Sequence, residues 1–233
     1  MRLAILKTGS TRLFDSVARR GGDYDAWFAE TLAPLGVELQ VIDAVATRAP
    51  DGDWDGIVIT GSPASVHDEE PWSEAAAAWT KRHVERGIPT LGVCYGHQLL
   101  AHALGGETGP AQQHEVGQFP VEVLADDPLF AGLERPLQTF LIHYNEVTRM
   151  PAEGRLLARS DRCPVQAFAI GDHVRAVQWH PEFDAIAVRE AIAQDADRLA
   201  GTGDDVEALI AGVQELPEAP RILTNFVEHF VRR

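Results

Sequence analysis

Two short stretches of the 233-residue chain carry side chains that could work as a nucleophile and its base. In the first, the apolar run Ile88–Val93 leads directly into Cys94, and a helical pattern starts at once with Gly96-His97-Gln98-Leu99-Leu100. Gly92-x-Cys94-x-Gly96 is the cysteine form of the G-x-S-x-G nucleophile elbow. The turn from strand to helix is sharp, and side chains at its two glycines would collide with the neighbouring strand and helix. The turn puts the nucleophile at the C-terminal edge of a sheet, beside a helix N-terminus whose dipole and free N–H groups favour a thiolate. The next backbone N–H, that of Tyr95, points where an oxyanion would form. The same string also fits an inert core cysteine, since free cysteines are often buried.

A nucleophilic cysteine needs a histidine base, often held by a third group. Of nine histidines, His83 and His102 fit helix surfaces and His229 lies in the last helical segment. His180 differs, because it ends a strand in Gln178-Trp179-His180-Pro181-Glu182. Pro181 biases His180 toward an extended backbone. In an extended segment residues i and i+2 face the same side, so Glu182 can hold the His180 imidazole. Read alone, this segment also fits an exposed strand end with an incidental His and Glu.

The elements that must position these groups follow from the apolar pattern. Leu3–Leu6, Val37–Ile42, Gly56–Ile59 and Ile88–Val93 are short apolar strands. Helical segments alternate with them over about 25–35, 72–86 and 96–104, and Gly36, Gly87 and Gly105-Gly106 stand where left-handed caps are needed. That alternation predicts a doubly wound α/β fold, with a mostly parallel sheet covered on both faces. The second half changes character. Phe119–Leu124, Leu137–His143, Arg155–Arg159, Val165–Ile170 and Val174–Trp179 read as strands joined by short turns, with a hairpin at Gly171-Asp172, and form an antiparallel edge. From 185 onward the pattern is helical, over about 185–200, 204–214 and 219–231. The expected organisation is a domain over 1–184 and a C-terminal helical extension over 185–233 packed on it.

Composition removes several function classes. The net charge of −15 argues against a non-specific nucleic-acid binder and against docking on an anionic membrane. Two cysteines without a C-x-x-C pair exclude the usual zinc and thioredoxin-type spacings and suggest a reducing compartment. Neither a signal-peptide core nor a membrane-length apolar run is present, so a cytoplasmic location is expected. Cys163, in a predicted loop before Pro164, reads as structural. Asp68, Glu69 and Glu70 form a carboxylate cluster beside His67, but without a histidine pair at helical spacing they are not read as a metal site.

Taken together, the motifs resemble the class I, triad-type glutamine amidotransferases, in particular the glutaminase part of GMP synthetase. The resemblance rests on Gly92-Val93-Cys94-Tyr95-Gly96-His97-Gln98-Leu99-Leu100 and Val177-Gln178-Trp179-His180-Pro181-Glu182-Phe183. Three shorter blocks add to it: Ile59-Thr60-Gly61-Ser62-Pro63, His143-Tyr144-Asn145-Glu146-Val147 and Ser160–Pro164. It covers about residues 1–184 and implies a flavodoxin-like fold. It implies that Cys94 attacks the γ-carboxamide of glutamine to give a γ-glutamyl thioester, with His180 as base and acid and Glu182 orienting it. It assigns the oxyanion hole to the N–H groups of Ser62 and Tyr95, and substrate contacts to Gly61, Gln98, Tyr144 and Asn145. It calls for no cofactor and no metal. Ser62 stands where the family often has a second glycine, which restricts the backbone there. With no P-loop and no synthetase domain after residue 184, ammonia would pass to a separate synthetase subunit, or the reaction would be an independent glutaminase. The alternatives are a γ-glutamyl hydrolase or peptidase acting on another γ-glutamyl compound, whose leaving group the Val66–Trp72 loop would shape, and a non-catalytic binding or regulatory protein on the same fold.

Overall fold

Runs of four buried residues alternate with helices in the first half of the chain, and a long polar hairpin dominates the second. A computed structural model describes residues 1–10 and 23–232. The strands are β1 (Arg2–Lys7), β2 (Glu38–Asp43), β3 (Gly56–Ile59), β4 (Thr90–Val93), β5 (Glu107–Val123), β6 (Leu137–Arg149), β7 (Gly154–Arg159), β8 (Ala167–Ile170) and β9 (Val174–Val177). They form one nine-stranded sheet in the order β2-β1-β3-β4-β9-β8-β7-β5-β6. Pairing is parallel from β2 through β9, and antiparallel from β9 through β8, β7 and β5 to β6. This is the expected mostly parallel, doubly wound sheet with an antiparallel edge.

The helices are α1 (Tyr24–Leu32), α2 (Pro71–Glu85), α3 (Tyr95–Ala103), α4 (Ala185–Gln194), α5 (Ala196–Gly201), α6 (Val206–Gly212) and α7 (Arg221–Phe226). A π-helical turn, Val227–Val231, continues α7. Side-chain alternation along β1 assigns the two faces. Leu3 and Ile5 pack with Phe28 and Leu32 of α1 and with Leu223, Phe226 and Phe230 from the C-terminal region. Ala4 and Leu6 pack with Ala76, Ala77 and Trp79 of α2 and with Leu99 and Leu100 of α3. Both faces of β1, β3 and β4 are thereby covered, which explains their runs of buried, mostly apolar residues. Gly36, Gly87 and Gly105 have φ of 71°, 78° and 88°, the left-handed caps that the sequence called for.

Two differences from the sequence reading bear on the site. The strand foreseen at Phe119–Leu124 begins at Glu107, twelve residues earlier, and pairs with β6 along most of its length. The helix foreseen over 185–200 divides at Asp195, which ends α4 and caps α5. Asp195 and Arg198 lie against Tyr144 of β6.

Candidate active site

The C-terminal ends of β1, β3, β4 and β9 meet at one edge of the sheet. The neighbours of β1 lie on opposite sides of it, so the connections reverse between β1 and β3. Open α/β sheets bind ligands at such a switch point. A cavity of about 510 Å³ lies there, lined by Ser62, Cys94, Tyr95, Gln98, Tyr144, Asn145, His180, Phe183, Asp195 and Arg198 among others.

Cys94 stands between β4 and α3 with φ 52° and ψ −103°. A non-glycine residue held there costs on the order of 1–3 kcal/mol and persists only where its surroundings enforce it. The Cys94 N–H donates to the Val177 carbonyl at 2.9 Å, and the Gly96 N–H donates to the Thr60 carbonyl at 3.1 Å. A Cβ at Gly92 would lie 2.3 Å from the Gly96 carbonyl oxygen, and one at Gly96 would lie 2.5 Å from that of Ile59. Both glycines are therefore required by close backbone approach.

His180 follows β9, and its N–H donates to the Phe140 carbonyl at 2.8 Å. Its Nδ1 lies 2.7 Å from Glu182 Oε1, with both side chains buried. The carboxylate accepts a hydrogen bond from Nδ1–H and leaves Nε2 as the other working nitrogen. The ring lies flat on Phe183, with centroids 4.2 Å apart and planes within 5°. Burial opposes charge on His180, but Glu182 and a charge and hydrogen-bond interaction with Cys94 outweigh it and raise the pKa to about 10. Gly61 completes the contact, because a Cβ there would lie 2.8 Å from His180 Cε1.

The Gly61–Ser62 peptide is fixed from behind. The hydroxyls of Thr8 and Thr60 both donate to the Gly61 carbonyl, at 3.1 and 3.0 Å. In a trans peptide the C=O and N–H point in opposite directions. The Ser62 N–H is thus turned away from the two threonines. Tyr95 is the first residue of α3, so its N–H has no carbonyl partner within the helix. Among the described residues, positive φ outside glycine occurs only at Glu69 and Cys94. Ser62 therefore fits without left-handed strain, and its hydroxyl accepts from the Ala64 N–H at 3.1 Å.

Gln98 Nε2 donates to the Asn145 carbonyl at 2.9 Å and to Gln178 Oε1 at 3.0 Å. Those bonds use both amide hydrogens, so Gln98 can offer a ligand only its Oε1 acceptor. The Asn145 side chain donates to Ser65 Oγ at 2.8 Å. The Tyr144 hydroxyl donates to Asp195 Oδ2 at 2.7 Å, and the Arg198 guanidinium carbon lies 3.3 Å above the Tyr144 ring centre. Burial and the bond to Asp195 push the Tyr144 phenol pKa up.

The structure brings all nine sequence-selected residues to this cavity or its immediate wall. Sequence reasoning missed Thr8 and Thr60, whose only signal is a hydroxyl residue after each of two adjacent parallel strands. It also missed Asp195 and Arg198, which no motif marks. Cys163 lies away from the cavity, fully buried, with Glu115 and His143, their ligating atoms all within 4.8 Å of one another. Burial pushes its thiol pKa up, so it stays protonated and unreactive. In that cluster His143 Nδ1 donates to the Asn145 carbonyl at 3.0 Å and Nε2 lies 3.1 Å from Glu115. His143, bonded to Glu115, thus supports the Asn145 carbonyl.

Residues 21–196 match the family model for class-I glutamine amidotransferase. The chain belongs to the class-I glutamine amidotransferases. A GMP synthase from Thermomicrobium roseum is 38% identical over 177 residues, which cover 72% of this chain and 32% of that one. The chain thus spans about a third of that relative's length. One subunit of the glutamine-hydrolysing GMP synthase of Pyrococcus furiosus is 32% identical over 169 residues, covering 70% of this chain and 85% of that one. The crystal structure of a glutamine amidotransferase from Thermotoga maritima shares the fold with a TM-score of 0.77 at 18% identity, covering 100% of this chain and 99% of that one. Among the described residues, no helix of this amidotransferase is long and apolar enough to cross a membrane.

Proposed function

We propose that this amidotransferase hydrolyses the γ-carboxamide of glutamine to glutamate and ammonia through a γ-glutamyl thioester on Cys94. The Cys94 thiolate attacks the amide carbon, and the oxyanion is held by the Ser62 and Tyr95 N–H groups. The tetrahedral adduct collapses by breaking the C–N bond, and His180 gives its proton to the departing ammonia. His180 then takes a proton from water as the hydroxide attacks the thioester, and the Cys94–acyl bond breaks to release glutamate. Glu182 keeps the imidazole oriented through both halves.

The observation that carries this reading is Cys94 at a positive-φ elbow, lining one cavity with a histidine held by Glu182. In the same reading residues 1–184 form the catalytic unit and 185–233 a helical extension on it. The Pyrococcus furiosus relative is one subunit of a GMP synthase, which supports a separate synthetase chain as the ammonia acceptor. Ammonia release from glutamine, assayed with and without a GMP synthase synthetase subunit, tests the proposal. Absence of release under both conditions contradicts it.

A second reading is favoured by the cavity volume. About 510 Å³ falls in the range of pockets that take ligands of drug size. A γ-glutamyl compound with a larger leaving group would use the same thioester chemistry. A panel of γ-glutamyl amides and peptides separates the two, since preference for glutamine over every larger substrate removes the second.

A further inference from the structure

Apart from Cys94, His180 and Glu182, a second set of buried side chains that can ligate a metal converges in the fold. Glu115 and His143 stand opposite one another in the β5–β6 ladder. Cys163 reaches them from the turn that follows β7, and the ligating atoms of the three all lie within 4.8 Å of one another. A tetrahedral zinc ion sets its nitrogen, oxygen and sulfur ligands roughly 3.3–3.6 Å apart, so small side-chain movements would close the three around one ion. His143 Nε2 and Glu115 Oε2 already stand 3.1 Å apart. A fourth group, Glu146, acts on the Cys163 thiol through charge and a hydrogen bond. All four residues are buried.

Hydrogen bonds fix how these groups are presented. The Asn145 carbonyl can only accept, so His143 donates to it from Nδ1–H at 3.0 Å, and Nε2 is the nitrogen turned to Glu115. Histidines that ligate metals almost always donate their other ring N–H in this way. Gln166 Nε2 donates to Glu115 Oε2 at 2.6 Å and to Ser160 Oγ at 3.2 Å, and the same Ser160 oxygen accepts from the Cys163 N–H at 3.0 Å. Ser160 and Gln166 thus hold the carboxylate and the cysteine together. Two polar atoms are left over. Glu146 Oε2 and Gln166 Oε1 are buried with no hydrogen-bond partner among the described residues. A buried carboxylate oxygen left in that state is costly, and a cation beside it removes the cost.

We propose that Glu115, His143 and Cys163, with Glu146 as the fourth ligand, form a structural site for one Zn²⁺. Thiolate, imidazole nitrogen and carboxylate oxygen are the ligand types that zinc takes, and a thiolate disfavours Mg²⁺ and Ca²⁺. The ion displaces the Cys163 thiol proton and any proton on His143 Nε2, and these leave to solvent. With four protein ligands the site is closed, so the ion performs no chemistry on a substrate. It ties β5, β6 and the turn after β7 to one another. Through His143 it also steadies the Asn145 carbonyl, to which Gln98 is bonded.

The test uses the full chain, loaded with zinc or cobalt(II) chloride and dialysed against metal-free buffer. Cys94 and Cys163 are the two cysteines of the chain, so Cys94→Ala leaves Cys163 as the lone thiol. Metal analysis should find one zinc per chain in wild type and in Cys94→Ala. The cobalt form of both should show a thiolate-to-cobalt charge-transfer band. Zinc should also raise the Tm of wild type, because it binds the folded state. Cys163→Ser, checked for folding by circular dichroism, should lose the cobalt band and the bound zinc. Gln166→Met keeps all four ligands and nearly the same volume. It should weaken zinc about 10- to 100-fold by loosening the Glu115 carboxylate, and it decides the question if Cys163→Ser does not fold. No bound zinc after dialysis, a cobalt band that survives Cys163→Ser or disappears in Cys94→Ala, or equal zinc affinity in wild type and Gln166→Met overturns the site.

Discussion

On the floor of the cavity, Cys94, His180 and Glu182 are buried, and backbone hydrogen bonds from neighbouring strands fix Cys94 and His180. At the rim, Tyr144 and Asp195 are half-buried, Arg198 is exposed, and side-chain contacts alone join them. The floor leaves no freedom: Gly92, Gly96 and Gly61 have no room for a methyl group without displacing backbone or the His180 ring. Of the rim residues, Asp195 and Arg198 lie where α4 and α5 meet, and Tyr144 belongs to β6.

Changes on the floor should cost rate, and changes at the rim should cost affinity. The largest effect is expected from Cys94→Ala, which should lower kcat for ammonia release by on the order of 10⁴-fold or more, as measured by coupled glutamate assay. Turnover close to wild type would remove Cys94 from the mechanism. Glu182→Gln should follow, with a kcat loss of roughly 10³- to 10⁴-fold, because an amide no longer enforces the Nδ1–H tautomer. A compensating rise in KM is not expected. Thr8→Val with Thr60→Val releases the Gly61 carbonyl and lets the Ser62 N–H drift. A kcat loss of about 10- to 100-fold at nearly constant KM is expected, less than deletion of an oxyanion donor. A pure KM change would place those hydroxyls in substrate binding instead.

The floor should also show itself in stability against pH. The folded-state pKa of His180 is raised from 6.5 to about 10. A raised histidine contributes stability that is fully present below pH 6.5 and is lost as pH rises through about 10. Urea denaturation of wild type and His180→Gln should therefore converge in midpoint as pH approaches 10. Parallel midpoints across that range would show that the imidazolium is not stabilised by Glu182 and Cys94.

Much of the floor was legible in the sequence because its requirements are local. A nucleophile elbow needs two glycines two residues on either side of the cysteine, and an extended His-Pro-Glu needs only adjacency. The parallel strands were legible because burial on both faces leaves uninterrupted apolar runs such as Gly56–Ile59. The first twelve residues of β5 were not legible. Glu107–Gln118 is rich in polar residues and contains Pro110, and its pairing with β6 comes from long-range ladder contacts. The Thr8–Gly61–Thr60 arrangement was hidden for the same reason, since it depends on β1 lying beside β3. Asp195 and Arg198 left no trace because a helical pattern continues smoothly through 185–200.

The most direct test of the central claim is covalent labelling with a diazoketone analogue of glutamine, followed by peptide mass spectrometry. One adduct on the peptide containing Cys94 is expected, suppressed by excess L-glutamine and absent from Cys94→Ala. Labelling of Cys163 in its place, or no adduct at all under conditions where the protein is folded, would contradict the account.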